Sequence, residues 1–220
     1  MGRKGRPTDP EKLSSYVREH ISREEFREFA RTARTLEEYQ ATIAEELISR
    51  VGYHPGFDVA LTGEKMRDYF FEPVFVEAVT DIVADIIERA ESALEREDYE
   101  EAESVLHEAE THAEKIGREK LPADVTGRME RVETKVRDYR IAKEEVEPRL
   151  TGAEDLMREW TVSRESFLLE EARDLLDEAE SYIAEMKEPP EALIRRLEKD
   201  RSRLEGYERR AKRRRRRRRE

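Results

Sequence analysis

Basic residues are concentrated at the two ends of this chain, in runs that suit the binding of a polyanion. The last twelve residues read RRAKRRRRRRRE and hold ten basic side chains and one acidic one, although the whole chain has a net charge of −11. Arginine binds phosphate oxygens with a planar fork of donors, and such contacts release condensed counterions. The sequence therefore predicts a nonspecific nucleic-acid anchor. Its residues are Arg3, Lys4 and Arg6 in an N-terminal arm, and Arg209, Arg210, Lys212, Arg213, Arg214, Arg215, Arg216, Arg217, Arg218 and Arg219 in the tail.

The rest of the chain is acidic. Outside residues 209–220 it carries an excess of 20 negative charges, which repels polyanions and attracts the tail. We expect the tail to be disordered and to project away from the helices. Two alternatives are that it binds acidic surfaces of this chain or of a partner, and that it only increases solubility.

Residue types that perform catalysis are poorly represented. There is no cysteine, and the nine glycines stand singly, so no phosphate-binding loop or nucleophile elbow is present. His107 and His112 lie in HEAETH, which differs from the HExxH pattern of zinc proteases, because five residues place the two rings about 140° apart on a helix. We expect a non-enzymatic protein without a metal or a cofactor.

The elements that must position the basic residues are predicted to be helices throughout. Charged residues make up 44% of the chain, as is typical of long solvated helices. Asp9 and Pro10 suit the N-cap and first position of one helix, and the capping boxes Ser22–Glu25 and Thr35–Glu38 begin two more. These three helices predict a small N-terminal bundle.

The joint after the third helix is the longest irregular stretch that we predict in this bundle. Gly52 suits a left-handed helix end, and Pro55 and Gly56 suit a type II turn. Thr62 is then predicted to cap a short helix. A basic face on residues 1–72 would favour a role of this bundle in DNA binding. The candidates are Arg18, Arg23, Arg27, Arg31, Arg34 and Lys65.

A central helix is predicted from about Pro73 to Glu95, and its first half is apolar on most of its circumference. Such a helix is buried, either by the N-terminal bundle or between subunits of an oligomer. The apolar segment is too short and too interrupted by carboxylates to span a bilayer. We expect no membrane partner and a cytoplasmic location. The predicted core or oligomer residues are Val74, Phe75, Val79, Ile82 and Val83.

The second half of the chain contains an internal repeat. EEAESVLHEAE (Glu100–Glu110) matches EEARDLLDEAE (Glu170–Glu180) at seven of eleven positions. Two three-helix units are therefore predicted, at about 82–148 and 152–212. Pro122 and Tyr139 of the first copy recur as Pro190 and Tyr207 in the second. In the second unit Asp200 takes the place of Val132, which predicts a weaker or more exposed seam. Trp160 is predicted to be a core or rim aromatic and not a platform for base stacking.

These signals predict an all-α protein in four parts. They are an N-terminal helical bundle with a basic arm (1–72), a central helix with the first helical unit (73–150), the second unit (151–208) and a disordered arginine-rich tail (209–220). The segment Glu95–Gly117 locally resembles a tetratricopeptide hairpin, which implies a helix pair that needs neighbours to bury its faces.

The layout, with the basic arm Lys4–Thr8 ahead of a helical bundle, an apolar central helix and a charged tail, resembles small terminase subunits of tailed viruses. That resemblance implies an oligomeric DNA-recognition protein of genome packaging. It departs from the family pattern where a helix-turn-helix is expected, because no glycine turn separates the second and third helices. The alternative function is a structural or adaptor protein whose helical repeats bind other proteins.

Overall fold

The computed structural model describes residues 8–217, without the side chains of Arg215 and Arg217. Within this range the chain forms helices joined by short loops and contains no strand. The all-α prediction is confirmed. Arg3, Lys4, Arg6, Arg218 and Arg219 lie outside the described residues. No helix in the described range is long and apolar enough to cross a membrane.

Contacts divide the chain into two compact units, with the boundary between Val132 and Glu133. The predicted boundary between residues 150 and 151 lies inside a helix. The first unit holds α1 (Pro10–His20), α2 (Arg23–Thr32), α3 (Leu36–Val51), α4 (Pro55–Thr62), α5 (Glu64–Met66), a π-helical turn (Arg67–Phe71), α6 (Glu72–Glu95), α7 (Tyr99–Glu114), a 3₁₀ turn (Arg118–Lys120) and the start of α8 (Ala123–Ile141).

The second unit holds the end of α8, a π-helical turn (Ala142–Val146), α9 (Glu147–Ser163), α10 (Phe167–Glu185) and α11 (Glu191–Arg217). Its core is formed mainly by leucine and alanine side chains of α9, α10 and α11. The Asp138 carboxylate fixes the loop between α10 and α11, since it accepts backbone hydrogen bonds from Lys187 at 3.0 Å and Glu188 at 2.8 Å.

The starts of the first helices follow the local sequence closely. Asp9 accepts a hydrogen bond from the backbone of Lys12, and Ser22 and Glu25 form the complete capping box. Only half of the second box forms. The Thr35 hydroxyl accepts from the backbone of Glu38, but the Glu38 carboxylate accepts from the backbone of Arg34.

The predicted turn after α3 is wrong. Pro55 occupies the start of α4, and Gly56 is not among the described glycines with positive φ, which are Gly52 and Gly117. Proline at the first helical position loses no hydrogen bond, so Pro55 and Gly56 are compatible with the start of a helix as well as with a turn. Thr62 ends α4 instead of capping the next helix, which begins after Gly63.

The apolar half of α6 is buried within this chain. Of the two predicted alternatives, burial by the N-terminal bundle or burial between subunits, the structure shows the first. Val79 and Val83 are fully buried, and the helix packs against α2 and α7. Ala90 of α6 and Ala102 and Ala109 of α7 have no exposed surface, which allows close approach of these two helices. Burial of these side chains therefore needs no second copy. The five predicted residues in this core are Val74, Phe75, Val79, Ile82 and Val83.

The repeated prolines occupy corresponding places in the helix order. Pro122 directly precedes α8, and Pro190 directly precedes α11. The carbonyl of Pro122 accepts from the backbone of Thr126, and that of Pro190 accepts from Ile194. Each loop therefore leads into the third helix of its predicted repeat, while the superposition of the two repeats stays a prediction.

One prediction about α11 is wrong, and one alternative of a second is excluded. The tail was expected to be disordered from Arg209 onward, but the helix continues to Arg217. Arginine and alanine favour helices, no proline follows Glu191, and cations at a helix C-terminus interact favourably with its dipole. The seam at Asp200 was predicted to be weaker or more exposed. Exposure is contradicted, because Asp200 is 0% exposed and Leu197 and Leu204 are buried on the same face of the helix.

Candidate anion-binding pocket

The basic residues of the tail project from the last turns of α11. Arg210, Arg213 and Arg214 are spaced three and four residues apart, so they share one face of this helix. Their side chains are exposed. Because this part of the basic run is helical, these three arginines lie together on one side of α11.

That face lies beside an aromatic pair in the core of the second unit. The ring centroids of Trp160 on α9 and Tyr207 on α11 are 5.2 Å apart. Trp160 is only 2% exposed, which confirms its predicted place in the core and leaves no open ring face for a nucleic-acid base. The indole therefore acts as a support for neighbouring side chains.

Arg164 is the functional candidate that the sequence did not identify. It ends α9 in the left-handed conformation, with φ 67° and ψ 17°, and its backbone N–H donates to the Trp160 carbonyl at 3.0 Å. Glycine is the usual residue here, and a side chain costs about 1 kcal/mol. The Arg164 guanidinium lies 4.9 Å from the Trp160 ring, which provides a favourable cation–π contact.

The two aromatic rings thus each carry an arginine. Arg164 lies over Trp160, and the Arg210 guanidinium lies 5.8 Å from the Tyr207 ring centroid. These contacts limit the rotation of two long side chains that would otherwise move freely. The arginines are therefore partly preorganised in the absence of any anion.

These side chains surround a pocket of about 350 Å³, which we call the arginine pocket. No carboxylate is found among the described residues that line it, so four guanidinium groups face a concave space without an internal counterion. Such a concentration of one charge attracts anions. The lining residues are Trp160, Arg164, Arg210, Arg213 and Arg214.

The closest acidic neighbour on α11 is already engaged elsewhere. The Glu208 carboxylate forms an ion pair with Arg173 of α10. Within the described part of the chain, no ion pair involves Arg164 or the three pocket arginines of α11, although exposed arginines elsewhere have carboxylate partners. The arginine pocket therefore has positive charge available for a ligand.

The histidine pair does not form a site. The His107 side chain is 83% exposed and approaches Glu110 on its own helix at 3.6 Å. His112 is half-buried, and this burial lowers its pKa. Across residues 8–217, no group of three or more histidine and carboxylate side chains is placed to hold a metal ion.

In the described part of the first unit, carboxylates engage three of the candidate basic residues. Arg23 pairs with Asp81 at 2.7 Å, and Arg27 pairs with Asp85. The acidic residues of α6 thus neutralise two of the α2 arginines that were considered for DNA binding. The third, Arg31, approaches the Glu28 carboxylate of its own helix at 3.7 Å. The Arg18 guanidinium lies over the Phe70 ring at 5.2 Å.

No family model, curated protein or solved structure matches this chain. Its function must therefore be inferred from its own residues.

Proposed function

We propose that this protein binds nucleic acid without regard to base sequence, through the basic end of α11 and Arg164. The observation that carries this proposal is a change in charge pairing along α11. In the first half of the helix, Arg195 pairs with Glu191 at 2.5 Å, and Arg201 pairs with Asp177 at 2.7 Å. Beyond Glu208, no described arginine has such a partner.

A paired arginine has little net charge to offer, whereas an unpaired one can replace the counterions of a phosphate backbone. In the first half of α11 the carboxylates of this helix and of α10 engage the arginines, and the chain outside residues 209–220 has an excess of 20 negative charges, so contact is favoured at the last turns and at Arg164. The buried state of Trp160 supports recognition of phosphates and not of bases. This combination favours sequence-independent binding.

Sequence readout by the N-terminal bundle is disfavoured by its charge. The helices α2 and α3 are joined by the three residues Ala33, Arg34 and Thr35, a length that suits a helix-turn-helix. However, α3 carries four glutamates and one arginine, and Tyr39 and Gln40 are buried. An acidic helix is repelled by the phosphates that flank the major groove.

The resemblance to small terminase subunits remains a hypothesis about where such binding is used. It adds a DNA-packaging role and an oligomeric assembly to the proposal. The buried α6 core does not supply the oligomer contact, since its apolar side chains are covered within the chain. An oligomer would therefore require another surface.

The test is equilibrium binding of two labelled duplexes of unrelated sequence, measured by fluorescence anisotropy from about 50 to 200 mM salt. The variant replaces Arg210, Arg213 and Arg214 with glutamine, which preserves helix propensity. We expect equal affinity for both duplexes and a log–log salt slope that is smaller by about 3 in the variant. Substitution is preferable to truncation at residue 209, because Ala211 packs against the core.

A matched control removes the same charge from the first unit by replacing Arg23, Arg31 and Arg89 with glutamine. These side chains are 68%, 54% and 61% exposed, and their ion pairs contribute little to stability. The control should retain the slope of the unaltered protein. If the α11 variant also retains it, the proposal is wrong, and the adaptor alternative becomes the better one.

A further inference from the structure

We propose that the arginine pocket is a site for the terminal phosphate monoester of a nucleic-acid strand. This inference rests on the proposed function and names the group that its pocket recognises. It adds a preference for strand ends to the nonspecific attraction along α11.

The first reason is shape. A helix face with evenly spaced arginines suits the continuous backbone of an internal segment, whose phosphodiesters run along a surface. The arginine pocket is a concave space of about 350 Å³, in which Arg164 of the α9 end faces the arginines of α11. A chain end can place one phosphate in such a space more easily than an internal segment can, because the backbone of an internal segment must both enter the space and leave it.

The second reason is charge. A phosphate monoester carries a charge of about −1.5 to −2 at neutral pH and has three free acceptor oxygens. A diester carries one negative charge and has two such oxygens. Four guanidinium groups supply more donors than a diester can use, and no carboxylate of the described residues lines the pocket. The monoester thus satisfies more of the available donors.

The third reason is the position of Arg164. A left-handed backbone at a residue other than glycine is uncommon, and among the described residues only Glu97 and Arg164 adopt it. Such conformations are concentrated at functional sites. Here it directs the side chain over Trp160 and into the pocket wall, where a bound phosphate would compensate for the local strain.

The Trp160 ring offers no open face on which a base could stack, because this side chain is covered. The proposed site therefore reads the phosphate and not the nucleotide attached to it. Both DNA and RNA ends present this chemistry, and matched oligonucleotides of each sugar type distinguish them.

The test uses the full chain and short single strands of one sequence, prepared with a 5′-phosphate or a 5′-hydroxyl, in DNA and RNA forms. Trp160 is the one tryptophan of the chain, so its fluorescence reports on the pocket. We expect the 5′-phosphorylated strand to bind about fivefold more tightly, as one additional solvent-exposed ion pair provides. Arg164→Gln should remove this preference and should weaken the 5′-hydroxyl strand only as much as the loss of any other basic residue of this surface does.

Arg209→Gln is the matched control, because Arg209 is exposed on α11 and does not line the pocket. It removes the same charge and should weaken both strands equally while preserving the preference. Circular dichroism verifies that each variant keeps its helix content.

Equal binding of the two strands would overturn the end preference and leave the proposed function intact. Failure of both strands to bind would overturn both proposals. If inorganic pyrophosphate changes the Trp160 fluorescence in an Arg164-dependent way while neither strand binds, the pocket serves another phosphate-containing ligand and its assignment to nucleic acid is wrong.

Discussion

The guanidinium of Arg164 lies 4.9 Å from the ring of Trp160, four residues earlier in the chain, at the point where α9 ends. The contact joins a strained backbone position to the aromatic pair that anchors α11. It brings a cation from one helix end to the arginines on the last turns of another. This arrangement, more than the number of arginines, distinguishes the second unit as a candidate site.

Arg164→Gly should separate the role of this side chain in binding from its role in folding. Relief of the left-handed backbone strain by glycine stabilises the fold, whereas loss of the cation–π contact destabilises it. These effects are of similar size, so we expect the free energy of unfolding to change by less than about 1 kcal/mol. Denaturant titration measures this change. A large destabilisation would show that Arg164 is primarily a structural residue.

Asp200→Val should stabilise the second unit. Asp200 is fully buried, its Oδ2 atom has no hydrogen-bond partner, and Val132 holds the corresponding place in the first copy of the repeat. An unsatisfied buried acceptor costs about 1–3 kcal/mol, part of which the Arg203 contact offsets. We expect a higher midpoint of thermal unfolding. Asp174→Val, at an exposed position of α10, is the control and should not raise it.

The gain from Asp200→Val should depend on pH. Burial, assisted by the nearby Glu154 carboxylate, raises the pKa of Asp200 above its ordinary value of 3.8. A raised folded-state pKa makes the ionised group destabilising above that pKa, and the penalty disappears once the group is protonated in both states. The advantage of the variant should therefore shrink as the pH falls towards 3.8. An advantage that does not vary with pH would contradict this account.

Glu25 should stabilise the folded chain with a pH dependence opposite to that of Asp200. Its hydrogen bonds with Arg50 and with Ser22 lower its pKa from 4.5 to about 2. A lowered folded-state pKa gives stability that is complete above 4.5 and is lost as the pH falls through about 2. Glu25→Gln retains an acceptor for the Ser22 backbone but loses the charge. The difference in unfolding free energy between the two proteins should vanish near pH 2, and a difference that persists there would contradict this account.

Val79→Asp tests the burial of α6. Val79 is fully buried between the helices of the first unit, and an unpaired carboxylate there costs several kcal/mol, which is comparable to the stability of a small domain. We expect the first unit to unfold, as measured by circular dichroism. Val59→Asp provides the matched control, since Val59 is 73% exposed. Retention of the fold by Val79→Asp would show that this core is not essential.

The all-helical fold and most helix starts could be predicted from the sequence, because the interactions that decide them span few residues. Ser22 and Glu25 satisfy each other's backbone groups within one turn, whatever the rest of the chain does. Where a local signal has two solutions, as at Pro55, prediction failed. The run of arginines after Arg209 was likewise ambiguous, since its composition is compatible with a disordered tail and with a helix.

The sequence by itself determined that the chain is helical, acidic over most of its length and basic at its end. Only the tertiary structure decided which arginines are available to a ligand. Tyr207 lies 47 residues from Trp160 in the chain, and their packing directs Arg210 towards Arg164. The same long-range packing buries Asp200 and gives Glu208 a partner on α10. Local sequence carries no record of such contacts, because they depend on how helices from distant segments align in space.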